Sequence, residues 1–333
     1  MQFDFKQRSG SNFSAALFYR LNIYLFLPLL VSLSAAYHVG RLSSQIIHLH
    51  SHLPRNQPLI TPGVKKLNKG LVEHILLKNC SGVIDESTFK HFPKLKKLTL
   101  WKTHIEEINS SLPITQLVAL ASRLPPLNKN YRQKLPNLES ALLLGNKDFL
   151  IDPSALKNFK NLRTLHISEA NFTDDCITKE WFRGLDHLQD LSLSDNNLSC
   201  IAEDAFKSSS NIWKLDLTYN HIKNLEKTVF KKLTKLELLG LYGNELEGFD
   251  IGLLGSQRAH LEVLGVDWKD LKGVRAEDVL RNLPKLRYVS FGHEEMPNDF
   301  KAGEFCQVLR QHGAQCEVDT VFGSGRILGY SLT

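Results

Sequence analysis

The sequence contains no Gly-x-Ser-x-Gly elbow, no His-Glu-x-x-His pair, no phosphate-binding loop and no Gly-x-Gly-x-x-Gly fingerprint. Each of these motifs answers a chemical need: a strained nucleophile, a metal with a general base, or backbone amides gathered around phosphate. Their absence gives no starting point for catalysis, and neither enzymatic activity nor a cofactor is expected. Long acidic or polar tracts are also missing. Hydrophobic content of 42% and charged content of 23% are those of ordinary folded protein, which excludes wholesale disorder. The charge excess is only +6 and is spread thinly, short of the clustered basic surface that nucleic-acid binding needs, so nucleic acid is not an expected partner. Beyond the N-terminus no apolar run approaches the ~20 residues of a membrane span. The end, Arg326 to Thr333, lacks the long apolar tail of a lipid-anchor signal. At 333 residues the chain is longer than the usual compact domain, and two globules or one elongated repeat array would account for it.

The front of the chain differs from the rest. Lys6, Arg8 and Arg20 precede an apolar run from Ile23 to Leu33, broken by Pro28 and Ser32 and followed by the small residues Ser34, Ala35 and Ala36. This is the layout of a signal peptide over residues 1–36 with cleavage after Ala36, which implies a secreted, extracellular protein with no membrane insertion. The long basic front also suits an uncleaved signal anchor, which would leave the protein tethered. Residues 37–70 read as an N-terminal flank or cap. They include His48, His50 and His52, whose alternate spacing would put three imidazoles on one side of an extended strand. Such a trio can hold zinc or copper. Spacing supplies no fourth ligand, so metal binding or metal-based enzymology here is only the further alternative, and no metal is expected.

A repeat then begins. Leu188, Leu191, Leu193, Asn196 and Leu198 are followed 24 residues later by Ile212, Leu215, Leu217, Asn220 and Ile222, and after 24 more by Leu236, Leu239, Leu241, Asn244 and Leu246. Weaker copies start at Val72, Leu95, Leu138, Leu162, Leu261 and Leu286, which makes nine strands over residues 71–295. Leucines at relative positions 1, 4 and 6 point to one side of a short strand and bury only against the coils above and below. The asparagine at position 9, held by Asn146, Asn196, Asn220 and Asn244 and replaced by Cys80, Thr103 or Ala170, can satisfy backbone groups where the chain leaves the strand. A large apolar residue (Phe89, Leu156, Phe182, Phe206, Phe230, Leu280) precedes the next repeat by six and forms a second spine. Near residues 109–137 the period fails. Ile114 to Leu124 reads there as a short helix inside an insertion or one degenerate repeat.

This pattern resembles the typical 24-residue class of extracellular leucine-rich repeats, as in Toll-like receptor ectodomains and secreted insect leucine-rich-repeat proteins. The resemblance implies an α/β solenoid: a leucine-rich-repeat horseshoe with a parallel concave sheet and short helical or irregular convex segments. The multi-cysteine caps common in that class are missing at both ends.

Five cysteines fit the register. Cys176 and Cys200 each lie 12 residues before a repeat start, at equivalent points of adjacent coils, and neighbouring coils stack at about 4.8 Å, within reach of a disulfide. In a C-terminal cap and tail over residues 296–333, a helix from Ala302 to His312 ends at Gly313 and a last strand runs from Cys316 to Phe322. Cys306 and Cys316 would staple this cap. Cys80 is left as a buried free thiol. Glycosylation sequons start at Asn79, Asn109, Asn171 and Asn197.

Positions 3, 5, 7 and 8 of each repeat face outward on the concave sheet, the surface solenoids use for recognition. They carry Lys78, Lys97, Trp101 and Lys102 in the N-terminal coils and Asp190, Asp195, Lys214, Asp216 and Tyr219 in the central ones. Tyr242, Asp267, Trp268, Tyr288 and His293 follow in the C-terminal coils. The aromatics next to charges, Trp101, Tyr219, Tyr242, Trp268 and Tyr288 beside Asp190, Asp216 and Asp267, are the candidate contacts for a protein or glycan ligand. The same aromatics are also good strand residues that pair across neighbouring coils. The spacing leaves the oligomeric state open.

Overall fold

A computed structural model describes residues 46–50, 69–157, 159–292 and 302–318, all of which lie in one compact unit, Arg41–Asp319. Residues 1–36, His52, His293, the tail from residue 319 and the side chains of His48 and His50 lie outside the described residues.

Twelve parallel strands form the main sheet in chain order. They are β1 (Ile46–His50), β2 (His74–Lys78), β3 (Lys97–Trp101), β4 (Gln116–Leu120), β5 (Ser140–Leu144) and β6 (Thr164–Ser168), then β7 (Asp190–Ser192), β8 (Lys214–Asp216), β9 (Leu238–Gly240), β10 (Val263–Val266), β11 (Tyr288–Phe291) and β12 (Gln315–Val318). The order is what one coil per repeat produces, since each coil returns the chain one strand spacing further along. Leu188, Leu191 and Leu193 are fully buried, as are Ile212, Leu215 and Leu217 in the next coil. Each such side chain contributes about 1.5–3 kcal/mol, and only stacked coils can realise that gain. On the far side of the core, Phe206 stacks between Phe182 at 5.7 Å and Phe230 at 6.4 Å.

The asparagines form the expected ladder. Asn220 Nδ2 donates to the Leu193, Leu217 and Thr218 carbonyls, and its Oδ1 accepts from the Leu198 amide at 3.1 Å. Asn196 makes the same four contacts in its own coil, and Asn244 accepts from the Ile222 amide and donates to the Leu217 and Leu241 carbonyls. Where asparagine is replaced, two of the substitutes still donate: Thr103 Oγ1 to the Leu77 and Trp101 carbonyls, and Cys80 Sγ to that of Lys78. The residue before each rung is left-handed. Asn79, Lys102, Ala121, Gly145, Glu169, Asp195, Tyr219 and Gly243 all have φ between 46° and 71°. For an L-residue this conformation costs roughly 1–2 kcal/mol, and the ladder behind it holds it in place. Gly243 is glycine for a second reason: a Cβ there would lie 2.6 Å from Cδ1 of Tyr219.

The helix expected from Ile114 to Leu124 does not form. Gln116–Leu120 is strand β4, paired with β3 and β5, so this segment is a degenerate repeat and not an insertion. Ile114, Leu117 and Ala119 take positions 1, 4 and 6 and are buried, and Ser122 fills the asparagine position, accepting from the Thr103 amide and donating to the Leu120 carbonyl. Only 19 residues separate Leu95 from Ile114, so the register slips and the 24-residue spacing does not reveal the coil. Alanine in place of leucine at position 4 of β5, Ala141, leaves a small apolar cavity of about 40 Å³ lined also by Leu98, Leu117, Leu143 and Tyr131.

The sheet exceeds nine strands through β4, through β1 in the segment read as a flank, and through the cap strand β12. The cap helix runs from Ala302 to Gln311, with Gly313 at φ 83° closing it. Cys306 and Cys316 are joined, with Cα atoms 5.4 Å apart. Cys176 and Cys200 pair directly in the small convex sheet and are joined at a Cα separation of 4.6 Å, while Cys80 is buried and takes part in neither disulfide. Peptide mapping without reduction should therefore yield one cross-link between Cys176 and Cys200, with Cys80 alkylated only after denaturation. A cross-link involving Cys80 would contradict the coil register.

Candidate functional site

Pleating sends the odd positions of each strand away from the leucine core. Lateral pairing lines them into columns: Lys97–Gln116–Ser140–Thr164–Asp190–Lys214 at position 3, Thr99–Val118–Leu142–His166–Ser192–Asp216 at position 5, and Trp101–Leu120–Leu144–Ser168 at position 7. Trp101 is half-buried, and the Lys78 ammonium sits 4.1 Å from its ring centre, a cation–π contact that orients both side chains.

The central coils carry a charged network. His166 Nε2 lies 2.9 Å from Asp190 Oδ1, and Lys214 Nζ lies 3.6 Å from the same oxygen. Burial alone would raise the Asp190 pKa, but His166 and Lys214 outweigh it and hold the carboxyl below its usual range. Asp216 is expected on the open surface but is buried. It accepts from the Ser192 hydroxyl at 3.1 Å and from the Thr218 hydroxyl and amide, and burial pushes its pKa up. The two carboxyls act on stability with opposite signs. Asp190, lowered in the fold, stabilises above the unfolded carboxylate pKa of ~4, and this is lost as pH falls through its folded value; Asp216, raised, stabilises fully below ~4 and loses this as pH rises through its folded value. Asp216→Asn should flatten the decline in stability as pH rises above the unfolded carboxylate value of about 4, read from melting curves at increasing pH. An unchanged decline would show that Asp216 does not titrate in the fold.

Three further residues expected to face solvent are interior. Tyr242 is fully buried, its ring meeting that of Tyr219 edge-on at 5.3 Å. Trp268 stacks flat on the core ring of Phe291 at 3.5 Å. Asp267 is buried and accepts from the Gly243 amide at 2.8 Å, while its own amide donates to Asp270 Oδ2. Assigning Trp268 to an outward column assumed the left-handed turn of the other coils. Here Asp267 and Asp270 form a capping box that starts a 3-10 helix, Trp268–Leu271, and so rotates the tryptophan inward. Apart from Tyr288, the outward residues of β9–β11 are closed as well: Leu238, Gly240, Val263, Gly265 and Ser290 are all buried. The continuous apolar runs Leu238–Leu241 and Val263–Val266 are the sequence signal of a strand covered on both faces. Gly292 belongs to this packing, since a Cβ on it would lie 2.4 Å from Asp267 Oδ1.

The accessible part of the outward face therefore runs from β2 to β8, where Trp101 and Asp190 are half-buried and Tyr219 is 38% exposed, with Tyr288 half-buried further along. His166, Val118, Leu142 and Leu144 also line it. All four lie in coils of weak or slipped register and none of the aliphatic side chains carries a charge, so neither spacing nor charge marks them in the sequence. Asn79, Asn109, Asn171 and Asn197 are all exposed. Among the described residues no cluster of His, Cys, Asp and Glu could hold a metal ion, and no helix is long and apolar enough to cross a membrane.

The model of the leucine rich repeat family matches residues 160–222. CD180 antigen of Mus musculus is 34% identical over 119 residues, which are 34% of this chain and 18% of that protein. Lumican of Gallus gallus is 30% identical over 149 residues, 43% of this chain and 40% of that one, so the chain spans less than half the length of either relative. A chain of the octameric complex of Latrophilin 3, Unc5D and FLRT2 superposes with a TM-score of 0.56 at 17% identity, covering 75% of this chain and 83% of that one. A chain of the TLR13–ssRNA13 complex does so with 0.55 at 18%, covering 82% and 46%. At such identities these structures speak to fold alone. The asparagine ladder, the phenylalanine spine and these likenesses agree: the chain folds as a leucine-rich-repeat solenoid, residues 160–222 match the leucine rich repeat family, and the fold resembles that of the Toll-like ectodomains.

Proposed function

We propose that this chain is a secreted, glycosylated recognition protein that binds a protein or glycan ligand on the outward face of β2–β8, and that it is not an enzyme. The observation that carries this reading is the held geometry of that face. Trp101 under Lys78, and the His166, Asp190 and Lys214 group, stand half-buried on a rigid ladder of strands, where little side-chain freedom is left to lose on binding. Two disulfides suit an oxidising compartment. Of the structural neighbours, one is an assembly with other proteins and one holds a single-stranded RNA. Acidic residues at Glu169, Asp190 and Asp195 on the central coils of this chain favour the protein or glycan over RNA.

The test is capture from extracellular fluid of the source, run in parallel with the wild type, with Trp101→Ala/Tyr219→Ala, and with a convex-side control, Lys207→Ala/Lys231→Ala. A partner retained by the wild type and the control but lost by the double aromatic variant is the expected result. Retention by all three would place recognition elsewhere. Sequencing of the purified protein should begin at Tyr37; an intact N-terminus would favour the tethered alternative.

A further inference from the structure

The outward face changes character between β5 and β6. The sixteen residues at positions 3, 5, 7 and 8 of β2–β5 include Lys78, Lys97 and Lys102 and no Asp or Glu. The twelve at the same positions of β6–β8 include Glu169, Asp190, Asp195 and Asp216 against Lys214. The central acids are engaged within the protein: Glu169 with Lys147 at 3.3 Å, Asp190 with His166 and Lys214, and Asp216 with Ser192 and Thr218. At the borders of the N-terminal patch the acids are also engaged, Glu73 with Lys96 at 3.2 Å and Asp148 with Arg123 at 3.0 Å. Lys78, Lys97 and Lys102 have no such carboxylate among the described residues. Between and beside them lie Trp101, Val118, Leu142 and Leu144, half-buried apolar side chains on the solvent side of the sheet and adjacent through the strand register.

We propose that the face of β2–β5 binds a protein segment that presents carboxylates next to large apolar side chains. This assignment rests on the concave-face reading above and specifies the chemistry of its ligand. A half-buried ammonium without a counter-charge is an unfinished interaction, and Lys97 is such a group: burial lowers its pKa and no carboxylate offsets that. An incoming carboxylate would supply the missing charge in a partly desolvated setting, where an ion pair gains more than at the open surface. The aliphatic strip through Val118, Leu142 and Leu144 separates this ligand from a sulfated glycan. A polysulfated chain would satisfy the lysines but leave those side chains facing charge, whereas a peptide covers both.

The experiment selects random peptides of about 12 residues displayed on phage against the immobilised full-length protein, then measures the enriched sequences as synthetic peptides. Enriched peptides should combine Asp or Glu with Leu, Phe or Trp. Their affinity should fall about tenfold or more in Lys97→Glu/Lys102→Glu and in Val118→Ser/Leu142→Ser, and about tenfold less binding is also expected on raising salt from low to moderate strength for the first reason alone. Lys97→Gln, a milder change, should weaken binding less than charge reversal, with melting curves confirming that each variant folds. Peptides without an acidic excess, or binding indifferent to both variant pairs, would overturn the assignment. So would heparin binding that depends on Lys97 and Lys102 while the peptides do not bind. If the peptides instead lose affinity with Lys214→Glu/Tyr219→Ala, the concave-face reading stands and only this patch falls; loss with neither set takes down both.

Discussion

Trp268→Ala is expected to lower the unfolding free energy by about 3–5 kcal/mol, the range for removing a buried aromatic side chain. The indole stacks on Phe291, which in turn meets Phe305 of the cap helix edge-on at 6.3 Å. Truncation would therefore open a void where the last coils join the cap, and collapse is limited because the ring is held between a capping-box helix and the sheet. Denaturant titration of the single variant measures this. A loss below about 1 kcal/mol would mean that the side chain faces solvent, as a straightforward extension of the repeat columns predicts.

Asn220 gives the second large effect, and the order of two substitutions is its signature. With alanine, Leu193 O keeps Asn196, Leu217 O keeps Asn244 and Thr218 O keeps the Asp195 amide, so only the Leu198 amide is stranded. That and the lost bonds should amount to about 2–4 kcal/mol. Asn220→Asp keeps an acceptor for Leu198 but turns an anion toward three carbonyl oxygens in a buried site, and should lose about 3–5 kcal/mol. Denaturant titrations of the two variants decide it. If Asp proves milder than Ala, the amide nitrogen is not what holds the ladder together.

Legibility followed register. Where three coils repeat at 24 residues, the leucine core, the asparagine rungs and the Cys176–Cys200 staple could be placed by counting. Counting failed where a coil is short, at Gln116–Leu120, and where a turn is built differently, at Trp268. In both places local signals existed: the buried triple Ile114, Leu117 and Ala119 in one, and the Asp267–Asp270 spacing with Lys269 in the asparagine position in the other. The outward columns were legible as positions but not as surfaces. Whether Tyr242 or Tyr219 meets solvent depends on what packs over the sheet, and spacing along one strand carries no information about that.

The two covalent links also shape how the molecule comes apart. A stack in which each coil touches only its neighbours can open from an end, one layer at a time, at a free energy far below that of the whole. One link sits in the last described layer, Cys306 to Cys316, and the other ties the coil starting at Leu162 to the coil starting at Leu188. Peeling from the C-terminal side meets a bond at once, whereas peeling from the N-terminal side proceeds freely through the coils of β2–β5 before it reaches one. The coils that bear the lysine and aliphatic patch are thus expected to open more readily than those between the two links, and a partner bound there would hold them closed.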